Sequence, residues 1–202
     1  SFSEAQLRVF DLLGTFVGRA LENANLYQTV DEQKQKIEYL NDDLKRMVKE
    51  LRELARKDQL TGLYNFGFFL EALHRRINEY RRCKGVHTMA IAILDLDNFK
   101  QFNEEHGHVA GNDVLKEVAH QILDSCRQMD IVCRYGGEEF VVILPKCDLE
   151  GARLLSQRIC DRIAAATVNT EEKEVSITIS IGCAEYMPDE KAIELIDRAD
   201  KA

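Results

Sequence analysis

Arg134-Tyr135-Gly136-Gly137-Glu138-Glu139-Phe140 places two glycines and two carboxylates between apolar runs, and the fold turns on how it is read. Ile131-Val132-Cys133 before it and Phe140-Val141-Val142-Ile143-Leu144 after it are mostly β-branched or aromatic, the composition of strands. Gly136-Gly137 between them is a turn signal that tolerates positive φ, so the stretch reads as a hairpin carrying acid at its tip. Neighbouring strand residues face opposite sides of a sheet, which gives Glu138 and Glu139 different tasks: one suited to a metal, the other to a reacting hydroxyl. Taken alone, the four residues fit equally well an exposed hairpin whose acids serve solubility.

The flanking segments supply the rest of a sheet. Met89-Ala90-Ile91-Ala92-Ile93-Leu94 is a continuous apolar run of strand length, read as a central strand buried on both faces. It delivers Asp95 and Asp97 into the stretch Asp95-Leu96-Asp97-Asn98-Phe99-Lys100. A carboxylate where a buried strand opens into a loop can hold a hard divalent cation, with backbone amides and Lys100 facing phosphate oxygens. Aspartates that merely cap a helix are the alternative at this point. From Phe102 to Asp113 the sequence predicts a polar, glycine-punctuated loop of the kind that carries recognition, then a helix from about Val114 to Arg127. Further helices are expected from about Phe66 to Cys83, stopped by Gly85, from Leu149 to Ala166, and from Glu190 to Ala202. Val175 to Ile181 alternates apolar and hydroxyl residues, as a strand with one wet face does. Strands interleaved with helices, two of them joined by a tight hairpin, predict an α+β sheet flanked by helices.

Ahead of this lies a long proline-free stretch, Phe2 to about Arg56. Ile37, Leu40, Leu44, Met47, Leu51 and Leu54 alternate spacings of three and four, the a/d seam of a coiled coil. The register extends back through Val30, Leu26, Phe16, Leu12 and Val9, with Gln33, Asn23 and Arg19 as polar interruptions. A parallel homodimer is the expected consequence, and Asn23 at an a position favours two strands in one register. An amphipathic helix lying on its own globular domain is the alternative.

Composition narrows the function classes. The 202 residues, 45% hydrophobic and 31% charged, suit a soluble domain plus an extension. A net charge of −8 argues against unspecific nucleic-acid binding, so no DNA partner is expected, and an anionic substrate would need local cations or a metal. No apolar run approaches the ~18 residues of a membrane span, and Ser1-Phe2-Ser3-Glu4 is no basic secretion signal. Six cysteines without paired spacing read as small buried hydrophobes in a reducing cytoplasm, with neither a disulfide framework nor a zinc site.

These motifs together resemble the GGDEF family of diguanylate cyclases. The D-x-L-T-G-L-x-N opening is Asp58 to Asn65, the D-x-D-x-F-K loop Asp95 to Lys100, F-N-x-x-x-G-H Phe102 to His108, and G-G-E-E-F Gly136 to Phe140. The resemblance implies a ferredoxin-like sheet of the nucleotide-cyclase type that condenses two GTP into cyclic di-GMP and releases two pyrophosphates. It assigns Asp95, Glu139 and the carbonyl of Leu96 to Mg2+, with Mn2+ as an alternative, and Glu138 to the ribose 3′-hydroxyl as base or second metal contact. Lys100 falls on the triphosphate and Asn103 on the guanine edge, with Asn98, Phe99, His108, Asn112, Gly136 and Gly137 completing the substrate site. Arg127 and Asp130 match the family's R-x-x-D inhibitory product site, where Arg158 would add a further contact. One nucleotide per protomer makes the homodimer a requirement.

Residues 1–28, ending Ala20-Leu21-Glu22-Asn23-Ala24-Asn25-Leu26-Tyr27, resemble the closing helix of a GAF sensor domain, which implies an upstream sensor. The expected division is then 1–28 sensor helix, 29–57 coiled coil and 58–202 cyclase domain, in a cytoplasmic bacterial signalling protein. The chain departs from the family at three places. Asn112 replaces an aspartate that can only accept from guanine, so partial use of ATP and some cyclic GMP-AMP is an alternative. Phe66 stands where arginine is usual, and the chain stops at Ala202, ahead of the family's last triphosphate contacts. A catalytically weak sensor of cyclic di-GMP is the remaining alternative.

Overall fold

The computed structural model describes residues 4–82, 88–166, 168–169, 174–175 and 177–202. Contacts divide the chain into two compact units, Ser1–Leu54 and Ala55–Ala202. The first is a single helix, α1 (Glu4–Ala55), as the absence of proline allows. Its seam residues from Leu12 to Leu54 are exposed in the single chain, from 47% at Met47 to 70% at Phe16, while the side chain of Val9 lies outside the described residues. No helix among the described residues is long and apolar enough to cross a membrane.

The second unit runs α2 (Phe66–Arg82), β1 (Met89–Leu96), α3 (Phe99–Ser125), β2 (Ile131–Gly136), β3 (Glu139–Pro145), α4 (Leu149–Ala165), β4 (Val168–Asn169), β5 (Glu174–Val175), β6 (Ile179–Glu185) and α5 (Ala192–Asp200). Four strands form the main sheet in the order β2-β3-β1-β6, every neighbouring pair antiparallel, while β4 and β5 make a separate small ribbon. β1 and β2 therefore run parallel with β3 between them, and β3 and β6 parallel with β1 between them. These two interlocked split β-α-β units make the sheet ferredoxin-like.

Both faces of the sheet are covered, which is why β1 reads as an unbroken apolar run. Ala90, Ala92, Leu94 and Leu96 meet Val114, Val118 and Ile122 of α3 and Leu155, Ile159 and Ile163 of α4. Ile91 and Ile93 lie in the opposite layer with Phe69, Leu73 and Ile77 of α2 and Leu195 and Ala199 of α5. Phe140 and Phe69, fully buried in the two layers, are the sort of residue whose truncation costs about 3–5 kcal/mol.

Three sequence expectations are corrected. The segment Phe102 to Asp113 is helix, part of an α3 broken only at Gly107, whose φ of 83° no other residue adopts cheaply. The strand expected over Val175 to Ile181 lies at Ile179–Glu185 instead, with Glu174–Val175 in the separate ribbon. The hairpin turn is Gly137-Glu138, since Gly136 still pairs with Glu139, so Glu138 sits in the turn and not on a strand. The helix stop at Gly85 and the α2 end at Cys83 lie outside the described residues, as does Ser176.

Candidate active site

The pleat and the register bring the acids together. Asp95 continues the Ile91, Ile93 side of β1, and Glu139 the Val141, Ile143 side of β3, so both face the α2 and α5 layer. Asp95 is the direct cross-strand partner of Glu139, and on its other side it pairs with Ser180. Directly opposed residues hold their Cβ atoms about 4.5–5.5 Å apart. Two carboxylates at that spacing repel. Burial, then the charges of Glu138, Asp97 and Asp200, raise the Asp95 carboxyl above its ordinary range. Burial, then Asp95, Asp200 and Glu138, do the same to Glu139. The turn residue Glu138 therefore adds its charge to the same spot. Asp97, by contrast, is turned toward β6, where its carboxylate accepts from the hydroxyls of Thr178 and Ser180.

Beside this pair, β1 passes straight into α3. Asn98 adopts a left-handed conformation (φ 56°, ψ 27°) and makes no side-chain cap, so the first amides of α3, at Phe99 and Lys100, have no partner within the helix. Such a helix start, next to the exposed Lys100, is a ready anion site. One turn on, Asn103 faces the second arm of α3 across the Gly107 kink. A Cβ on Gly111 would lie 1.9 Å from its Oδ1, so any larger residue there would have to displace the Asn103 amide. That Oδ1 is buried without a hydrogen-bond partner. An orphaned buried acceptor costs about 1–3 kcal/mol and is relieved by an incoming donor. His108 and Asn112 are exposed on the same arm of α3.

The carboxylate pair fits a magnesium-type ion. Among the described residues no three His, Cys, Asp or Glu side chains are arranged as a closed metal cage. Magnesium characteristically takes one or two carboxylates and keeps waters and phosphate oxygens for the rest of its shell. Asp95 and Glu139, paired across the strands, could supply the carboxylates of such a partial shell.

Two residues absent from the sequence-based site hold the tip in place. Arg134 donates from Nε and Nη2 to the Gly137 carbonyl (3.1 and 2.7 Å), and from Nη1 to both oxygens of Asp58 (3.1 and 3.2 Å). Asp58 also accepts from the Thr61 amide and hydroxyl (2.9 and 2.7 Å). Burial pushes the Asp58 carboxyl up, but the hydrogen bonds from Thr61 and Arg134 outweigh it and hold it below the ordinary value. Both residues stand in the quoted motifs, yet nothing local showed that they meet.

At the other end of β2, Arg127 and Asp130 close a turn: the Arg127 amide donates to Asp130 Oδ2 (2.7 Å), leaving its guanidinium exposed. Arg158 reaches the same corner from α4, donating to the Ser125 carbonyl. Burial raises the Asp130 carboxyl, against the pull of Arg127 and Arg158. The six residues of β2 put this corner about 17 Å from the acidic tip.

Fold and site together define a nucleotide-cyclase-type domain, and the chain belongs to the family described as diguanylate cyclase, GGDEF domain, which matches residues 55–202. Among its relatives, the diguanylate cyclase DgcP of Pseudomonas aeruginosa is 37% identical over 155 residues, 77% of this chain and 23% of that protein. The response regulator PleD of Caulobacter vibrioides is 34% identical over 188 residues, 92% of this chain and 41% of PleD. The chain thus spans well under half the length of either relative. The coiled coil and GGDEF domain of DgcB from Caulobacter crescentus, solved in complex with c-di-GMP, superposes with a TM-score of 0.77 at 28% identity, covering 86% of this chain and 91% of that one.

Proposed function

We propose that this chain is the catalytic part of a diguanylate cyclase, condensing two GTP into cyclic di-GMP and two pyrophosphates across a homodimer. The observation that carries the reading is the Asp95–Glu139 cross-strand pair set against the uncapped start of α3. Asp95, Glu139 and the Leu96 carbonyl would hold Mg2+, or Mn2+, which when bound offsets phosphate charge and makes the ribose 3′-hydroxyl more acidic. The Phe99 and Lys100 amides and the Lys100 ammonium orient the triphosphate. Glu138 takes the 3′-hydroxyl proton. The 3′ oxygen bonds to the α-phosphorus of the nucleotide on the other protomer, and the α–β anhydride breaks to release pyrophosphate. The orphaned Asn103 Oδ1 accepts from the guanine edge.

The exposed seam of α1 supports a parallel coiled-coil dimer, which would bring two sites face to face and let an upstream sensor alter their relative angle. Arg127, Asp130 and Arg158 gather two cations and a carboxylate suited to the donors and acceptors of guanine, which supports product binding and feedback inhibition there. Asn112 favours a second reading, because its amide offers both a donor and an acceptor and so tolerates adenine.

Mass spectrometry of products from GTP, from ATP and from their mixture with Mg2+ tests the reaction and the choice of base. Cyclic di-GMP from GTP is expected; no dinucleotide from any mixture would refute the cyclase reading. Cyclic di-GMP alone from the mixture would refute the adenine reading.

A further inference from the structure

Tyr135 is the residue the sheet ladder leaves out. Arg134 pairs with Phe140 and Gly136 with Glu139, so the register slips by one at Tyr135 in a β-bulge immediately ahead of the turn. A bulged residue has no cross-strand partner to hold it, and bulges next to active sites re-aim the groups beyond them. The Tyr135 ring is instead held from the α2 side. Phe66, the first residue of α2, meets it edge to face at 4.9 Å and 80°, and Phe69 meets it at 5.8 Å and 67°. Phe66 is 40% exposed, so core filling is not its main task.

Phe66 is itself fixed. The preceding Asn65 caps α2 by accepting from the Phe68 amide (3.0 Å), donates from Nδ2 to the Ala55 carbonyl (2.7 Å) and from its amide to the Arg56 carbonyl (2.8 Å). On the other side of the bulge, Arg134 ties the Gly137 carbonyl to Asp58. The tip is thus gripped by two consecutive residues, through a polar arm and an aromatic arm. Just beyond the grips lies a two-residue turn with a glycine at φ 31°, too soft to place Glu138 and Glu139 unaided. Ligating carboxylates need to be held to within about 0.5 Å.

We propose that Phe66 is a positioning residue that, by clamping the bulged Tyr135, fixes the Gly136–Glu139 tip against Asp95 and thereby sets the affinity of that carboxylate pair for a divalent cation. The catalytic arm of the test rests on the cyclase reading above; two further arms do not.

In the full-length protein, Phe66→Ala is compared with Phe66→Tyr, which keeps the ring, and with Tyr80→Ala. Tyr80 and Tyr186 form an edge-to-face pair of the same geometry (4.9 Å, 79°) at the far end of β1, so Tyr80→Ala removes a like contact away from the tip. Amide hydrogen exchange over residues 134–140 should quicken about two- to tenfold in Phe66→Ala, the range an edge-to-face pair supplies, and in neither other variant. Mn2+ binding followed by electron paramagnetic resonance should weaken by a similar factor in Phe66→Ala alone. The kcat for GTP should fall while KM stays within about twofold, since the tip and not the base or phosphate contacts has loosened.

Unchanged exchange at the tip overturns the clamp. Faster exchange with unchanged Mn2+ affinity overturns the positioning role, as does an equal metal defect in Tyr80→Ala. Absence of turnover in the wild type refutes the cyclase reading alone, and the exchange and Mn2+ arms then decide the clamp.

Discussion

Directly opposed like charges weaken a sheet, and under the proposed function a cation between Asp95 and Glu139 would offset the repulsion. In chelator at neutral pH, Glu139→Gln is therefore expected to raise the melting temperature by about 2 °C, on the ~0.5 kcal/mol scale of a cross-strand pair, while removing the stabilisation by added Mg2+. The sign with pH follows from the raised carboxyl. The folded wild type holds its proton more tightly than the unfolded chain, so the repulsion is felt in full above the raised value. It fades as pH falls toward the ordinary 4.5 of glutamate, and the variant's advantage fades with it in paired thermal scans. Asp58 behaves oppositely. Its depressed carboxyl contributes stability above the ordinary 3.8, lost as pH falls through the lower folded value. Asp58→Asn should cost about 1–2 kcal/mol in urea titrations at pH 7 and flatten the acid limb below pH 4. A wild-type acid limb there would mean that the Asp58–Arg134 link contributes nothing.

Elements show where sequence reading succeeds and where it stops. The apolar run Met89 to Leu94 and the Gly-Gly hairpin were legible because burial on both faces and a tight turn leave local signatures. Helix α3 was not. Its stretch up to Asp113 carries so many exposed polar residues, with glycines at 107 and 111, that it resembles a loop, although one positive-φ glycine suffices to bend a helix. Likewise Gly182 and Cys183 break the alternation of β6 and shifted its expected span upstream; Gly182 is needed because a Cβ there would lie 2.0 Å from the Ala199 carbonyl. Asp58 and Arg134 are 76 residues apart, and no periodicity links them. The kink yields its own prediction. Gly111→Ala should displace the Asn103 amide and weaken binding of a GTP analogue about tenfold or more by calorimetry, with Lys100 and the carboxylate pair intact. Unchanged affinity would show that Asn103 does not meet the base.

For the molecule as a whole, α1 exposes a seam of large apolar side chains over most of its length, and a matching helix is what would cover it. Leu44→Asp is expected to convert dimer to monomer in light scattering and to make the residual rate depend on the square of protein concentration. A fully active monomer would separate catalysis from pairing. The feedback proposed at Arg127 and Asp130 belongs to this scale too, because the corner lies a strand's length from the tip; Arg127→Ala should relieve inhibition by added cyclic di-GMP at unchanged initial rate. The most direct measurement is pyrophosphate release from GTP against Mg2+ concentration, in the wild type and in a folded Glu139→Ala variant. Saturable, metal-dependent release in the wild type, two pyrophosphates for each cyclic dinucleotide, and at least a hundredfold loss in the variant, on the ~10²–10³ scale of removing one key electrostatic contact, are the predicted result. Comparable release from both proteins, or release without metal, would contradict the assignment of the Asp95–Glu139 pair.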